Sequence, residues 1–300
     1  MPKRDTPVEN PRAWIEATIK DFIARSPENS LSNEANDRAW AEPLVGYSQG
    51  DDPLYQEFKE HIDSFHWTPV EIFTDTFPSS KARPEELTVI SWVLPHTDTI
   101  KADNRRQKDY PAERWARARI YGESANEKLR AHVVRVLQDA GYEAVAPVLC
   151  PRFERKMSER YGAASTWSER HAAYASGLGT FGLCDGLITP KGKAVRLGSV
   201  VARIKIPSTL RRYNDHHAYC LFFAEGTCGK CIERCPAGAI TEAGHDKVKC
   251  IHYRKTAVFT RYVETHFGSD ILGSPRYGCG LCQTKIPCES KIPSRPDDAQ

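Results

Sequence analysis

Two stretches, C-L-F-F-A-E-G-T-C-G-K-C-I-E-R-C-P (220–236) and C-G-L-C-Q-T-K-I-P-C (279–288), decide how this chain is read. With Cys250 between them they gather eight of the ten cysteines: Cys220, Cys228, Cys231, Cys235, Cys250, Cys279, Cys282 and Cys288. Cys228, Cys231, Cys235 and Pro236 spell C-x2-C-x3-C-P, the last three-quarters of the run C-x2-C-x2-C-x3-C-P that holds iron–sulfur clusters in bacterial ferredoxins. Glu225 stands where the first cysteine of that run belongs. Cys220 can reach the same iron if L-F-F-A-E-G-T loops out around Gly226.

Eight thiolates are the requirement of two [4Fe–4S] cubanes. In two-cluster ferredoxins the cysteine before proline ligates the other cluster, because the chain turns away there into a helix that proline can start. The pattern therefore assigns Cys220, Cys228, Cys231 and Cys288 to one cluster, and Cys235, Cys250, Cys279 and Cys282 to the other. A four-cysteine zinc site from Cys228-x2-Cys231 and Cys279-x2-Cys282 leaves four cysteines and the Cys-Pro step without a purpose. A disulfide framework lacks the secretory context it needs. Cys150 and Cys184 each stand alone in apolar surroundings and read as small buried hydrophobes.

Three hundred residues exceed a typical single domain, so two domains, or one with a cofactor module, are expected. We place them at 1–207, an α/β corrinoid- and substrate-binding domain, and 208–300, a ferredoxin-like domain with two [4Fe–4S] clusters, an α+β chain as a whole. A net charge of +3 does not by itself indicate nucleic acid, and Arg105-Arg106 and Arg211-Arg212 read as solvated surface arginines. The N-terminal M-P-K-R-D-T-P-V-E-N shows neither a secretory nor a twin-arginine signal, and no stretch approaches a membrane span. A cytoplasmic protein without membrane contact is expected.

Along the chain, residues 8–25 read as an amphipathic helix with Trp14, Ile15, Ile19, Phe22 and Ile23 on one face. Short helical patterns start at Pro53 and at Thr68-Pro69, with His61 and His66 as surface residues. L-T-V-I-S-W-V-L (87–94) reads as a buried strand. A helix carrying Leu129, Val133, Val136, Leu137 and Ala140 ends at Gly141; it starts either at a Ser124/Glu127 capping box or near Ala112, running through Gly122. Y-E-A-V-A-P-V-L then suggests a second strand, and strand, helix, strand implies an α/β layer.

Thr166 with Glu169 reads as a capping box opening a helix that ends at Gly177. Gly177, Gly179 and Gly182 spell G-x-G-x-x-G, but here the motif follows a helix and leads into a strand, the reverse of a dinucleotide-binding loop, so NAD and FAD are rejected. A glycine-rich turn that lets a bulky flat group approach the backbone remains, with tight packing as the alternative. Val195–Ile206 is expected to pair back on Leu187–Thr189 across a turn at Pro190-Lys191-Gly192-Lys193.

The segments A-S-G-L-G-T-F-G, L-I-T, Gly198-Ser199, C-G-K-C-I-E-R-C-P-A-G-A-I, K-C-I-H-Y and Y-G-C-G-L-C together resemble the cobalamin-dependent epoxyqueuosine reductases and reductive dehalogenases. The likeness is strong in the second half and weak in the first. It implies a nitroreductase-like N-terminal domain with a base-off corrinoid that the clusters charge one electron at a time. By family position Gly177, Leu178, Gly179, Thr180, Phe181, Gly182, Leu187, Ile188, Thr189, Gly198 and Ser199 would line the corrin.

Two departures separate the branches. The D-T-G-P motif and catalytic aspartate of epoxyqueuosine reductases have no match before the glycine turn, where the nearest carboxylate, Glu169, reads as a helix cap. Reductive dehalogenases use a tyrosine with a nearby cation; Tyr121 is the positional match, with Arg170 or Lys191 as the cation. The resemblance thus leans towards the dehalogenase branch, an oxidoreductase cleaving a carbon–halogen or carbon–oxygen bond of a small-molecule substrate with electrons from a low-potential donor such as a ferredoxin or flavodoxin. Two alternatives stay open: epoxyqueuosine reductase acting on transfer RNA, a partner the reading disfavours, and a corrinoid-free 4Fe–4S electron-transfer protein. Cys282 and Cys288 are separated by Q-T-K-I-P, longer than the family spacing, so a bulge is expected there.

Overall fold

The computed structural model describes residues 9–263 and 278–295. Most of the N-terminal stretch read for targeting signals, up to residue 8, lies outside the described residues. The chain opens with helix α1 (Pro11–Arg25), strand β1 (Leu44–Gln49), helices α2 (Leu54–Ile62) and α3 (Pro69–Thr76), and strand β2 (Thr88–Pro95). Helices α4 (Asp98–Arg105), α5 (Glu113–Arg117) and α6 (Glu123–Asp139) follow, then β3 (Ala144–Val145) and a hairpin of β4 (Arg155–Ser158) and β5 (Gly162–Ser165). Helix α7 (Glu169–Ala175) leads into a second hairpin, β6 (Thr180–Phe181) with β7 (Leu187–Ile188), and then β8 (Val195–Ala202). The cysteine-bearing end holds α8 (Leu221–Glu225), α9 (Lys230–Glu233), a hairpin of β9 (Ile240–Thr241) and β10 (Gly244–His245), and α10 (Lys247–Tyr253).

Four strands form an antiparallel sheet in the order β1-β2-β8-β3. Every residue of β2 is buried, because helices cover both faces of the sheet. On one side Ile15, Ile19 and Ile23 of α1 and Leu129, Val133 and Leu137 of α6 pack on Ile90, Trp92 and Val200. On the other, Tyr55, Phe73, Trp167 and Tyr174 from α2, α3 and the α7 region pack on Val89, Val93 and Val201. A strand enclosed on both faces needs apolar side chains at consecutive positions, which explains the unbroken run at 87–94.

Several local expectations change. Helix α7 is capped by Ser168, whose hydroxyl accepts from the His171 amide, while Thr166 instead accepts from the Glu154 amide. Helices α5 and α6 are continuous through a π-helical turn at Ala118–Gly122, so the earlier start is the one realised and Ser124 caps nothing. Strand β8 pairs with β2 and β3, not with 187–189; Leu187 and Ile188 pair with Phe181 and Thr180. His66 is buried, with Nδ1 3.0 Å from the Ser165 carbonyl. Arg105 and Arg211 are also committed, to Glu289 and to Asp52 and the Ala175 carbonyl respectively. L-F-F-A-E does not loop out; it forms α8, ended by Gly226 in the left-handed region at φ 64°.

The β6–β7 hairpin explains Gly179. A Cβ there would sit 2.1 Å from the Ile188 carbonyl oxygen, so only glycine lets the two strands close. Gly179→Ala should therefore destabilise the chain by about 1–3 kcal/mol, the range for overpacking a filled interior, read as a lower urea midpoint with unchanged slope. An unchanged midpoint would contradict this packing role.

Candidate functional site

A cavity of about 870 Å³ lies between the helix-covered sheet and the cysteine-bearing end, near the top of the size range of small-molecule sites. The cysteine end is fastened to the sheet side by several polar contacts. Arg234 donates to the carbonyls of Asn104, Gln107, Leu281 and Thr284 at 2.7–3.3 Å. Glu289, 5% exposed, receives Arg105 Nε at 2.8 Å, and its carbonyl accepts the Ala194 amide at 3.1 Å. Residues 208–219 pack on the sheet side before Cys220 is reached, with Thr209 N donating to Tyr47 O and Tyr219 N to Thr180 Oγ1.

All ten cysteines are free thiols. Cys220, Cys228, Cys231 and Cys288 line a small apolar cavity, whereas Cys235, Cys250, Cys279 and Cys282 open onto the large one. The Q-T-K-I-P bulge is built by Lys285 in the left-handed region at φ 59°. Among the described residues no three histidine, cysteine or carboxylate side chains converge on a single metal ion. Two groups of four thiols on separate walls match the donor chemistry of iron–sulfur cubanes, whose ligands are thiolates spread around a larger body.

Cys184 does more than fill space. It lies on the large cavity, its Sγ 4.0 Å from the Cys282 carbonyl, and accepts Lys193 Nζ at 3.1 Å. The neighbouring Cys231 and Cys282 thiols, with Lys193, draw its thiol well below the usual range. Nothing in the order G-L-C-D-G marks this residue, because its role comes from distant neighbours.

The sheet-side wall is built on charge. Glu123, at the end of the π-helical turn, is buried, and burial alone would push its carboxyl up. Arg196, Arg130 and Arg119 outweigh that and hold it at about 2. Arg130 Nη1 lies 3.3 Å from Glu123 and its Nε 3.0 Å from Glu169. Glu169 also receives the Ser199 hydroxyl, and Ser199 in turn accepts Trp167 Nε1 at 3.0 Å. Burial raises the Glu169 carboxyl above its ordinary range in spite of Arg130 and Ser199. Glu169 is thus a wall residue able to hold a proton, and sequence reasoning gave it only a capping role.

The other expected site residues divide. Arg170 and Leu187 line the large cavity, with Arg170 Nη1 donating to the Asp185 carbonyl at 2.5 Å. Ile188 lines the small one. Gly177, Leu178, Gly179, Thr180, Phe181, Gly182 and Thr189 line neither; this turn packs on its own hairpin and on Thr209-Leu210. Gly198 makes room for the Trp92 ring, 2.5 Å from where a Cβ would stand, and Ser199 acts through Glu169. Tyr121 is off the wall, with Arg117 6.0 Å over its ring, and Lys191 is exposed on its turn. Lys193, two residues on, is the buried cation of this region.

A corrinoid presents a flat ring with an amide-rich rim. Among the described residues His96 Nδ1, Trp115 Nε1 and Arg254 Nε are buried and find no hydrogen-bond partner, and all three residues line the large cavity. The His96 ring, tilted between Trp40 and Trp115 at centroid distances of 4.6 and 4.1 Å, is kept neutral by burial and by Arg119, Arg196 and Lys101. These orphaned nitrogens and aromatic walls are compatible with such a group.

Residues 226–288 match the family of 4Fe–4S double cluster binding domains. The chain is 32% identical to epoxyqueuosine reductase of Bacillus anthracis over 122 residues, covering 40% of this chain and 29% of the relative. It is 31% identical to the enzyme of that name from Synechocystis over 134 residues, 44% and 41% of the two chains. The chain thus spans less than half the length of these curated relatives, which bear the epoxyqueuosine reductase name rather than the dehalogenase one. Among solved structures, an epoxyqueuosine reductase with a modified tRNA stem loop aligns at TM-score 0.45 and 17% identity, covering 94% of this chain and 68% of its own. A catabolic reductive dehalogenase aligns at 0.44 and 16%, covering 83% and 30%. Among the described residues no helix is long and apolar enough to cross a membrane.

The Glu123 network sets an expectation for stability. Glu123→Gln takes the carboxylate from Arg119 and Arg196 and leaves Arg130 with Glu169 alone, and should cost about 3–5 kcal/mol in chemical denaturation, as breaking a buried ion pair does. Because the folded carboxyl is held down, its contribution is present above the ordinary glutamate range and is lost as pH falls towards 2. The wild-type advantage over Glu123→Gln should shrink across that window; a constant gap would contradict the ion-pair account.

Proposed function

We propose that the chain is an iron–sulfur reductase that works with a corrinoid and reductively removes an epoxide oxygen, as the epoxyqueuosine reductase name describes, with Glu169 as the proton source. The observation that carries this reading is the position of Glu169, a carboxyl whose side chain is 16% exposed and whose affinity for its proton is raised, on the cavity that also exposes Cys235, Cys250, Cys279 and Cys282. Removing an epoxide oxygen takes two electrons and two protons and releases water. A corrinoid supplies a strongly reducing metal centre when bound. In this reading residues 1–207 bind it and the substrate, and residues 208–300 hold two [4Fe–4S] clusters fed by a ferredoxin- or flavodoxin-like donor in the cytoplasm.

The chain's own residues do the rest. Arg130 donates to one carboxyl oxygen of Glu169 and Ser199 to the other, which fixes the group at the cavity wall. Arg170, Arg196 and Lys247, which line the same cavity, suit a phosphate-bearing substrate, in keeping with a nucleoside in tRNA. His96, Trp115 and Arg254 offer the orphaned donors that a corrin rim could satisfy. A dehalogenase-like route would need a tyrosine at the reacting atoms; Tyr121 is not on the wall, and Tyr253, which is, gives its hydroxyl to the Asp109 carbonyl. A simple electron carrier would have no use for a carboxyl of raised proton affinity in the cavity.

The direct test is anaerobic reconstitution with iron, sulfide and cobalamin, followed by an assay on epoxyqueuosine-containing tRNA stem loop with a low-potential reductant. About eight irons per chain and a base-off cobalamin spectrum are expected, and Cys228→Ala should lose about half of the iron. Far fewer irons in the wild type would defeat the two-cluster assignment. Glu169→Gln should slow turnover by about 10²–10⁴, the usual value of a positioned general acid, while Tyr121→Phe leaves it unchanged. Since the acid form must be present, activity should persist above the ordinary glutamate range and fall as pH rises through the raised Glu169 pKa. The reverse ranking of the two variants would favour the dehalogenase-like route.

A further inference from the structure

Lys193 is 3% exposed, and among the described residues no carboxylate pairs with it. A lysine taken out of water needs an anionic or hydrogen-bonding partner, and here the partners are sulfur. Nζ donates to Cys184 Sγ at 3.1 Å, and that sulfur packs in one cluster with Cys231 of the small cavity and lies 4.0 Å from the backbone carbonyl of Cys282 on the large one. Lys193 itself lines both cavities. The arrangement is held from several sides. The Lys193 amide donates to the Cys288 carbonyl at 2.8 Å, and a Cβ at Gly186 would sit 2.8 Å from Lys193 Cδ.

Resting on the two-cluster reading, we propose that Lys193, acting with Cys184, is a positioning residue that raises the reduction potentials of both clusters and couples one to the other. One-electron reduction places an extra negative charge on a cubane and its sulfurs. A positive charge buried beside those sulfurs favours the reduced state, and the charge around a cluster is among the levers that set such potentials. An ammonium has three donors, and this one stands between the two thiol sets, so each cluster feels it. Cys184 holds the ammonium in this place, its own sulfur set against the Cys282 carbonyl at 4.0 Å. The electron comes from the external low-potential donor and leaves to the substrate; neither Lys193 nor Cys184 changes oxidation state.

The test compares wild-type, Lys193→Met, Lys193→Arg and Cys184→Ala chains, reconstituted anaerobically and followed by iron and sulfide analysis and by EPR-monitored redox titration. Lys193→Met should keep its iron while both midpoints move negative, by about a tenfold change in reduced-to-oxidised ratio at fixed potential, ~59 mV for a one-electron couple. Lys193→Arg, which keeps charge and donors, should restore most of the shift. Cys184→Ala should keep its iron. Should Lys193→Met fail to fold, Lys193→Gln should show a smaller shift in the same direction. Unmoved midpoints, or movement of one cluster only, overturn the inference, and so does loss of about half of the iron in Cys184→Ala, which would make Cys184 a ligand. A wild type that takes up no cluster overturns the two-cluster reading and this inference together, whereas intact clusters with unmoved midpoints overturn this inference alone.

Discussion

A carboxylate taken out of water has to be met by charge, and the architecture around Glu123 is the consequence. Its three guanidinium partners come from the π-helical turn, from α6 and from β8, so one ionic network ties the long helix to the central sheet. Arg130 then passes the constraint on to Glu169 at the start of α7. Four elements are thereby held at fixed spacing, and the wall they make is the floor of the cavity. The π-helical turn belongs to this account, since it places Arg119 against Glu123 at 3.6 Å.

The opposite wall depends on backbone acceptors more than on charge. Arg234 satisfies four carbonyls drawn from two distant parts of the chain, and Asn104 adds Thr284 at 3.1 Å. Gly280 lets the 279–282 turn lie against Trp115, whose ring would meet a Cβ there at 2.1 Å. The thiols are therefore presented by a segment whose position is set by the same helices that carry the carboxylates. Proton-holding and sulfur-bearing groups face one space because their supports are shared.

Much of this was legible in the residue order, and the boundary is physical. The buried strand at 87–94 announces itself because burial on both faces demands consecutive apolar residues. The cysteine pattern is legible because cluster ligands are spaced by the local path of the chain. What escaped reading depends on tertiary neighbours. Lys193 looks like one more residue of a polar turn beside Lys191, and only packing against Gly186 and the end of the chain shows which of the two is enclosed. Glu169 has the sequence signature of a first-turn acid, which it also is, and its second role depends on Arg130 and Ser199. The glycines at 177–182 show the limit most clearly, since a backbone that must approach another backbone uses the same residue as one that must approach a ligand.

The thiols on each cavity are drawn from both ends of the cysteine-bearing segment, Cys220, Cys228 and Cys231 with Cys288, and Cys235 and Cys250 with Cys279 and Cys282. The large cavity has its four thiols only once Cys282 has been made, and the small one only once Cys288 has. A truncation ahead of Cys279 would remove thiols from both chambers at once rather than from one.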